Sequence, residues 1–235
     1  FNPAMGGLLA AWGFQQDDLG VSQLPFTYVD KFLHDHPNMT DIQLQGQRVR
    51  SSNRAVHLDF GGYTKGYALD LALAYLRQQG VKNALINIGG NMIALGQHGS
   101  RPWRVGIQHP RAPLAIATLD LPSGWAIGTS GDYQRYFMLN GMRYCHIINP
   151  RTGYPVQHTQ AVTVLIPPQA ATGVLSDVMS KPIFIASAEA KTKSANKLGV
   201  KYFLIVNAAG QVSVSRDLLP RLRWNDTHAK FYIAS

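Results

Sequence analysis

The chain has 235 residues, with 22 Lys and Arg against 13 Asp and Glu, a formal charge of +9, and 46% apolar residues. That length can bury one sizeable core, and no apolar run reaches the ~18 residues of a membrane-spanning helix. A single glutamate, Glu189, excludes chemistry built on paired glutamates, and a single cysteine, Cys145, excludes an internal disulfide and a cysteine-based metal site.

The chain opens on Phe1 with no signal-peptide pattern, so a preceding segment is expected to be missing. Leu8, Leu9, Ala11, Trp12 and Phe14 predict a short helix ending at Trp12-Gly13-Phe14, followed by a polar loop from Gln15 to Ser22. Pro25 to His34 predicts a second helix with Phe26, Val29, Phe32 and Leu33 inward. Asp41–Leu44 and Arg48–Arg50 read as a hairpin around Gln45-Gly46. The run from His57 to Asp70 brings a short apolar stretch to Asp59, turns through Gly61-Gly62, and becomes helical after Lys65-Gly66 up to about Gln79. Asn83–Ile88 reads as a buried strand, broken at Gly89-Gly90-Asn91 and continued by Met92–Leu95. Trp103–Gln108 and Leu114–Leu121 are further strands. Trp125–Gly128 leads into a turn at Thr129-Ser-Gly-Asp132. Tyr136–Leu139 and Arg143–Ile148 flank Asn140-Gly141, a strong hairpin turn. Gln160–Ile166 is a strand, and Ala170 to Ser187 is helical with a late start or a kink at Pro182. Tyr202–Asn207 and Gln211–Ser215 form a last hairpin. This uneven alternation predicts an α+β fold with mixed or antiparallel sheets and flanking helices, in one domain over residues 1–235.

Four Gly-punctuated polar turns follow apolar strands, at 59–66, 87–91, 129–132 and 149–153, where binding residues collect. Each also has a plainer reading. Lys65 at a strand-to-helix turn suits an anion site or is a solvated lysine. Asn87 and Asn91 cap a glycine turn or bind a ligand. Thr129, Ser130 and Asp132 receive a phosphate or, more simply, make an Asx-type turn. His146 is a base or, as is commoner for a strand histidine, a hydrogen-bonded core residue. Asp177, among apolar neighbours, needs a partner such as a cation, or is a first-turn aspartate. Trp12 and Phe14 by default belong to the core. Late in the chain Lys191, Lys193, Lys197, Lys201, Arg216, Arg221, Arg223 and Lys230 face only Glu189, Asp217 and Asp226, which suits an anionic ligand or a negative membrane surface.

Taken together and in order, these segments resemble the ApbE family of FAD:protein FMN transferases. The resemblance rests on Phe1-Asn-Pro…Trp12-Gly-Phe14, Asp59-Phe-Gly-Gly-Tyr-Thr-Lys65-Gly, Asn87-Ile-Gly-Gly-Asn91, Thr129-Ser-Gly-Asp132, His146-Ile-Ile-Asn-Pro-Arg-Thr-Gly-Tyr-Pro155 and Ser176-Asp177-Val-Met-Ser180. It implies an ApbE-like, T-fold-like domain that binds FAD, uses Mg²⁺, and transfers FMN to a Thr or Ser hydroxyl of a protein, releasing AMP. Asp59 and Lys65 would hold FAD; Trp12, Gly13 and Phe14 would line its pocket, and the backbone near Ile148 would touch it. Gly62, Asp177 and Ser180 would hold the metal, and His146 would activate the acceptor hydroxyl. The implied acceptor is a flavin-carrying subunit of a membrane redox complex. The implied location is the periplasmic side of a bacterial inner membrane, with a lipid anchor on the missing N-terminal segment. No nucleic-acid partner is implied, and no RNP or zinc-finger pattern is present.

Three departures from the family pattern are visible. Lys181 stands where a threonine is usual four residues after the metal-binding aspartate. Asn149 stands where aspartate is usual, and the N-terminal Met-Gly-Thr-like motif is absent. They raise an alternative: an FAD- or nucleotide-binding protein on the same fold with reduced or lost transfer.

Overall fold

The structure is a computed structural model that describes residues 2–225 and 230–234; Phe1 and Asp226, which figured in the motif and the charge count, lie outside the described residues. The chain begins with helices α1 (Gly6–Ala11) and α2 (Phe26–Asp35), the strands β1 (Ile42–Gln45) and β2 (Arg48–Ser51), and the helix α3 (Thr64–Gln78). Strands β3 (Ala84–Ile88), β4 (Asn91–Leu95), β5 (Trp103–Gln108), β6 (Ala115–Leu121) and β7 (Ala126–Gly131) follow. Next come β8 (Tyr136–Leu139), β9 (Met142–Cys145), β10 (Ile148–Asn149), β11 (Tyr154–Pro155) and β12 (Thr159–Ile166). Helices α4 (Thr172–Val178), α5 (Ser180–Ile185) and α6 (Lys191–Lys197) precede β13 (Tyr202–Asn207), β14 (Val212–Val214), β15 (Leu222–Trp224) and β16 (Phe231–Ile233). Two compact units result: Phe1–Gly62 with Asp132–Gln157, and Tyr63–Gly131 with His158–Ser235.

The first unit packs α1, α2 and the hairpins β8–β9 and β10–β11 around Leu8, Trp12, Phe14, Val29, Phe32, Phe137 and Ile148. In α2 the i, i+3 pair Val29 and Phe32 is buried, as its spacing predicts. Phe26, expected inward, shares that face but is 55% exposed, because it is the first residue of the helix, one turn before the buried pair. The Asn140-Gly141 turn joins β8 to β9 with φ of 50° and 76°. Both values are positive, as a two-residue hairpin turn requires.

The second unit carries a sheet with strand order β16-β14-β13-β12-β7-β4-β3, antiparallel except for the β14–β16 pair. All eight residues of β12 are buried, which explains its near-continuous apolar run. Helix α3 sets Leu69 and Leu73 against Ile93, Leu95 and Ala126.

Several expectations need correction. Met92–Leu95 does not continue the preceding strand: Gly89 and Gly90, with φ of 59° and 89°, reverse the chain, and β3 and β4 pair as a hairpin. Thr129-Ser-Gly131 is not a turn but the end of β7, paired with β12 as far as Ala161; its small polar residues serve the sheet ladder. Helix α3 starts at Thr64, two residues before Gly66. The helix from Ala170 divides at Met179, and Pro182 falls in the first turn of α5, where its missing N–H leaves no helical bond unmade. Helix α6 and strands β15 and β16 were not foreseen, being short and without a strong period.

Helices α3 and α4 approach so closely that a Cβ on Gly66 would stand 2.4 Å from the Gly173 carbonyl oxygen and 2.7 Å from the Val174 Cα. Asp70 fixes the approach by accepting the Gly173 and Val174 amides at 2.7 and 2.9 Å. Gly66→Ala would gain up to ~1 kcal/mol of helix propensity. The obstacle, however, is backbone, which cannot swing aside, and overpacking of this kind costs about 1–3 kcal/mol. A lower melting temperature is therefore expected for Gly66→Ala. An unchanged or raised one would mean that the helices separate freely.

Candidate functional site

In the first unit the residues expected around a flavin divide into two sets. Trp12 and Phe14 are 0% and 2% exposed and belong to the core. Trp12 donates its Nε1–H to the Gly153 carbonyl at 2.8 Å and stacks on Tyr144 at 5.5 Å. Phe14 packs on Phe137, and its carbonyl accepts from Arg135. Gly13 lies between them at φ 72°, where a Cβ would meet the Gly20 carbonyl oxygen at 2.2 Å. The aromatic pair thus fixes the path of the backbone, while its ring faces are covered by protein. Ile148 is likewise buried, and β10 holds it opposite Pro155.

Asp59 anchors its own turn: Oδ1 accepts the Gly61 amide at 2.8 Å and Oδ2 accepts Gln15 Nε2 at 3.0 Å. Both donors are neutral, and a carboxylate has further lone pairs beyond these two bonds. Gly62, half-buried, closes the unit. Asn149 organises the next loop; its Oδ1 accepts the Arg151 amide at 3.0 Å and its carbonyl accepts Gly153 N–H at 2.8 Å. Asparagine offers the same side-chain acceptor as aspartate here, so the departure leaves the turn intact.

His146 lies just past the end of β9, not within a strand as expected. Its Nδ1 is 3.2 Å from the Arg135 carbonyl oxygen, and its backbone N–H donates to the same oxygen at 3.0 Å. A carbonyl can only accept, so Nδ1 carries a proton, and whenever the ring is neutral Nε2 is the nitrogen that holds the lone pair. The ring is half-buried, edge-on to Phe14 at 6.4 Å. Cys145 beside it is buried, and its burial raises the thiol to a pKa of about 11, which makes it inert.

In the second unit, Lys65 opens α3 and its stem crosses the Gly89-Gly90 turn, 3.1 Å from where a Gly89 Cβ would stand. Asn87 caps that turn by accepting the Gly90 amide at 3.0 Å. Asn91 is 1% exposed; its Oδ1 accepts the Thr129 amide at 3.3 Å, and its Nδ2 has no hydrogen-bond partner among the described residues. Thr129 pairs with Thr163 at 2.8 Å.

Asp177, 3% exposed, lies deeper. Its Oδ2 accepts the Gly66 amide at 3.1 Å, and its Oδ1 faces Lys181 Nζ at 2.7 Å. The same Nζ donates to the Asp177 carbonyl at 2.6 Å. Burial pulls the Lys181 pKa below its ordinary value; the Asp177 carboxylate opposes that shift and Lys65 adds to it. Ser180 donates to the Asp177 carbonyl at 2.9 Å, so the 2.7 Å contact between Ser130 Oγ and Ser180 Oγ has Ser130 as its donor. As arranged, these groups do not fit a divalent cation. The carboxylate already holds an ammonium, and the described residues include no cluster of three His, Cys, Asp or Glu able to hold a metal.

Lys191, counted with the surface charges from the sequence, is instead 5% exposed. Nothing in its local pattern signals this. The pairing of Lys181 with Asp177 follows from their i, i+4 spacing, whereas nothing local signals that Asn91, beside a glycine turn, is buried with its Oδ1 on the Thr129 amide.

A family model described as the ApbE family matches residues 1–204. A protein of Rhodobacter capsulatus named FAD:protein FMN transferase is 40% identical over 222 residues, which are 94% of this chain and 42% of that protein. The chain thus spans less than half the length of this curated relative. The crystal structure of an ApbE protein from Thermotoga maritima superposes with a TM-score of 0.82 at 29% identity, over 95% of this chain and 72% of that one. The apo form of the flavinyl transferase ApbE of Pseudomonas stutzeri superposes with a TM-score of 0.71 at 29% identity, over 88% of this chain and 63% of that one. The α+β fold expected from the sequence is the fold of these structures.

Proposed function

This chain belongs to the ApbE family, and on that premise we propose that it transfers FMN from FAD to a threonine or serine hydroxyl of a protein. The acceptor oxygen attacks the phosphorus of the FMN half, the bond from that phosphorus to the bridging oxygen breaks, and AMP departs. The hydroxyl proton goes to Nε2 of His146. The observation that carries this reading is the His146–Arg135 hydrogen bond, which holds the ring in the tautomer that can take a proton. In the second unit, Lys65 at the start of α3 and Lys181 on Asp177 bring positive charge suited to a pyrophosphate. Magnesium, which the family resemblance implies, does not suit the Asp177 carboxylate while Lys181 occupies it.

The acceptor in this proposal is a flavin-carrying subunit of a membrane redox complex. The place of work is the periplasmic side of a bacterial inner membrane, reached through a lipid anchor. The family resemblance supports both, and a net charge of +9 suits a negative membrane surface.

The test is mass spectrometry of the acceptor after incubation with FAD and the protein made from its complete reading frame. A gain of one FMN, with AMP appearing in step, is the expected result. A second reading, FAD binding without transfer, draws on Lys181 standing on Asp177; in that case FAD binds and no AMP forms. Titration should also show FAD bound more tightly than FMN, because the adenylate half adds contacts. Equal affinities would place the recognition on the flavin phosphate alone.

A further inference from the structure

We infer that Lys181 is a built-in counter-ion: its ammonium takes the place of a divalent cation on Asp177, so the cationic charge beside that carboxylate is covalently part of the chain. The inference deepens the transfer reading and rests on it for the phosphate that the ammonium would meet, whereas the metal-binding claim stands on geometry alone.

A carboxylate that is 3% exposed cannot stay ionised without a partner. Lys181 lies four residues on, across the break between α4 and α5, and reaches back with two hydrogen bonds, to Oδ1 at 2.7 Å and to the main-chain oxygen at 2.6 Å. The other carboxylate oxygen is engaged by the Gly66 amide at 3.1 Å. Pro182 does not swing the lysine aside: it sits in the first turn of α5, where helical geometry is kept, and the ammonium stays on the carboxylate. An ammonium has three N–H donors. Two go to Asp177, and the third has no acceptor among the described residues, which leaves it for a phosphate oxygen.

Whether such a pair yields to a dication depends on burial. An exposed pair is displaced easily. Here the lysine side chain is 17% and the aspartate 3% exposed, and separating a buried pair leaves a charge without its partner. Lys65, close enough to depress the Lys181 pKa, adds a second positive charge opposed to an incoming dication. Divalent binding at Asp177 should therefore be weaker than in Lys181→Thr by on the order of 10²-fold or more.

The experiment uses Mn²⁺ as the probe, read by electron paramagnetic resonance, on the unaltered protein, Lys181→Thr and Asp177→Asn. FAD titrations in EDTA and in Mg²⁺ accompany it. The expected result is no Mn²⁺ at Asp177 in the unaltered protein, one new site in Lys181→Thr, and FAD affinity within a factor of about two with and without Mg²⁺. Mn²⁺ bound to the unaltered protein and lost in Asp177→Asn overturns the inference, as does a folded Lys181→Thr that gains no site. If Lys181→Thr fails to fold, the unaltered protein and Asp177→Asn still decide. If FAD binds under neither condition, the transfer reading fails while the Mn²⁺ result stands on its own.

Discussion

His146→Ala is expected to leave FAD bound and to slow FMN transfer by ~10²–10⁴-fold, the usual contribution of a positioned general base. The side-chain contact from Nδ1 to the Arg135 carbonyl is lost, and the backbone bond to the same oxygen survives the substitution. The Phe14 ring contact at 6.4 Å is a minor packing loss. The fold should therefore melt within a few degrees of the unaltered protein, and the loss should fall on the rate. Added imidazole should restore part of it, since the missing group is a small base. Transfer at the unaltered rate, or a loss that imidazole never repairs alongside a collapsed melting temperature, would make His146 a structural residue held by Arg135.

The second large effect is expected on stability, at Lys191. This lysine is 5% exposed, and its Nζ meets Thr159 Oγ1 at 2.6 Å, Ala186 O at 2.9 Å, Phe184 O at 3.1 Å and Ile183 O at 3.2 Å. The three carbonyls end α5, where the last turn of a helix leaves acceptors without intrahelical donors. The ammonium serves as their cap. Burial opposes it and lowers the lysine to a pKa of about 8. Lys191→Met keeps most of the volume and removes the charge, which relieves that burial cost. It also strips buried acceptors of their donor, each loss being worth about 1–3 kcal/mol. The carbonyls and Thr159 remain when only the cation is removed, so the loss should win: about 2 kcal/mol of destabilisation, or roughly 4–8 °C in melting temperature for a chain of this size.

The pH dependence has a definite sign. The folded pKa of Lys191 lies below its unfolded value, so between about pH 8 and 10.5 the unfolded chain binds the extra proton. Stability from this group should therefore rise with pH across that window, and Lys191→Met should abolish the rise. Thermal melts at pH 7, 8, 9 and 10 on both proteins check this. A variant as stable as the parent at pH 7 would show that the burial cost outweighs the capping bonds.

Local chemistry was enough for much of the molecule. Asn140-Gly141 dictates a two-residue hairpin because both residues tolerate positive φ, and the apolar spacing in α2 sets Val29 and Phe32 inward whatever lies opposite. The ordered set of short motifs was likewise readable, because turn residues near a ligand are chosen for backbone conformation and hydrogen bonding within a few residues, as Asp59, Asn87 and Asn149 show. Only the tertiary structure could decide matters in which partners lie far apart in sequence. Thr129 and Ser130 read as turn residues by composition, yet they become strand because β12, some 30 positions on, offers a ladder to pair with. Trp12 is core because Gly153, 141 residues away, accepts its indole N–H. Lys181 was readable as the neighbour of Asp177 from their i, i+4 spacing, and the structure adds that the pair is buried. Lys191 read as one of a run of surface charges, yet it lies on the open end of a helix, because the packing of α5 on β12 sets where its ammonium can reach. The pattern of side chains along a segment governs its conformation, whereas the charge state and partner of a buried group depend on which distant backbone groups surround it.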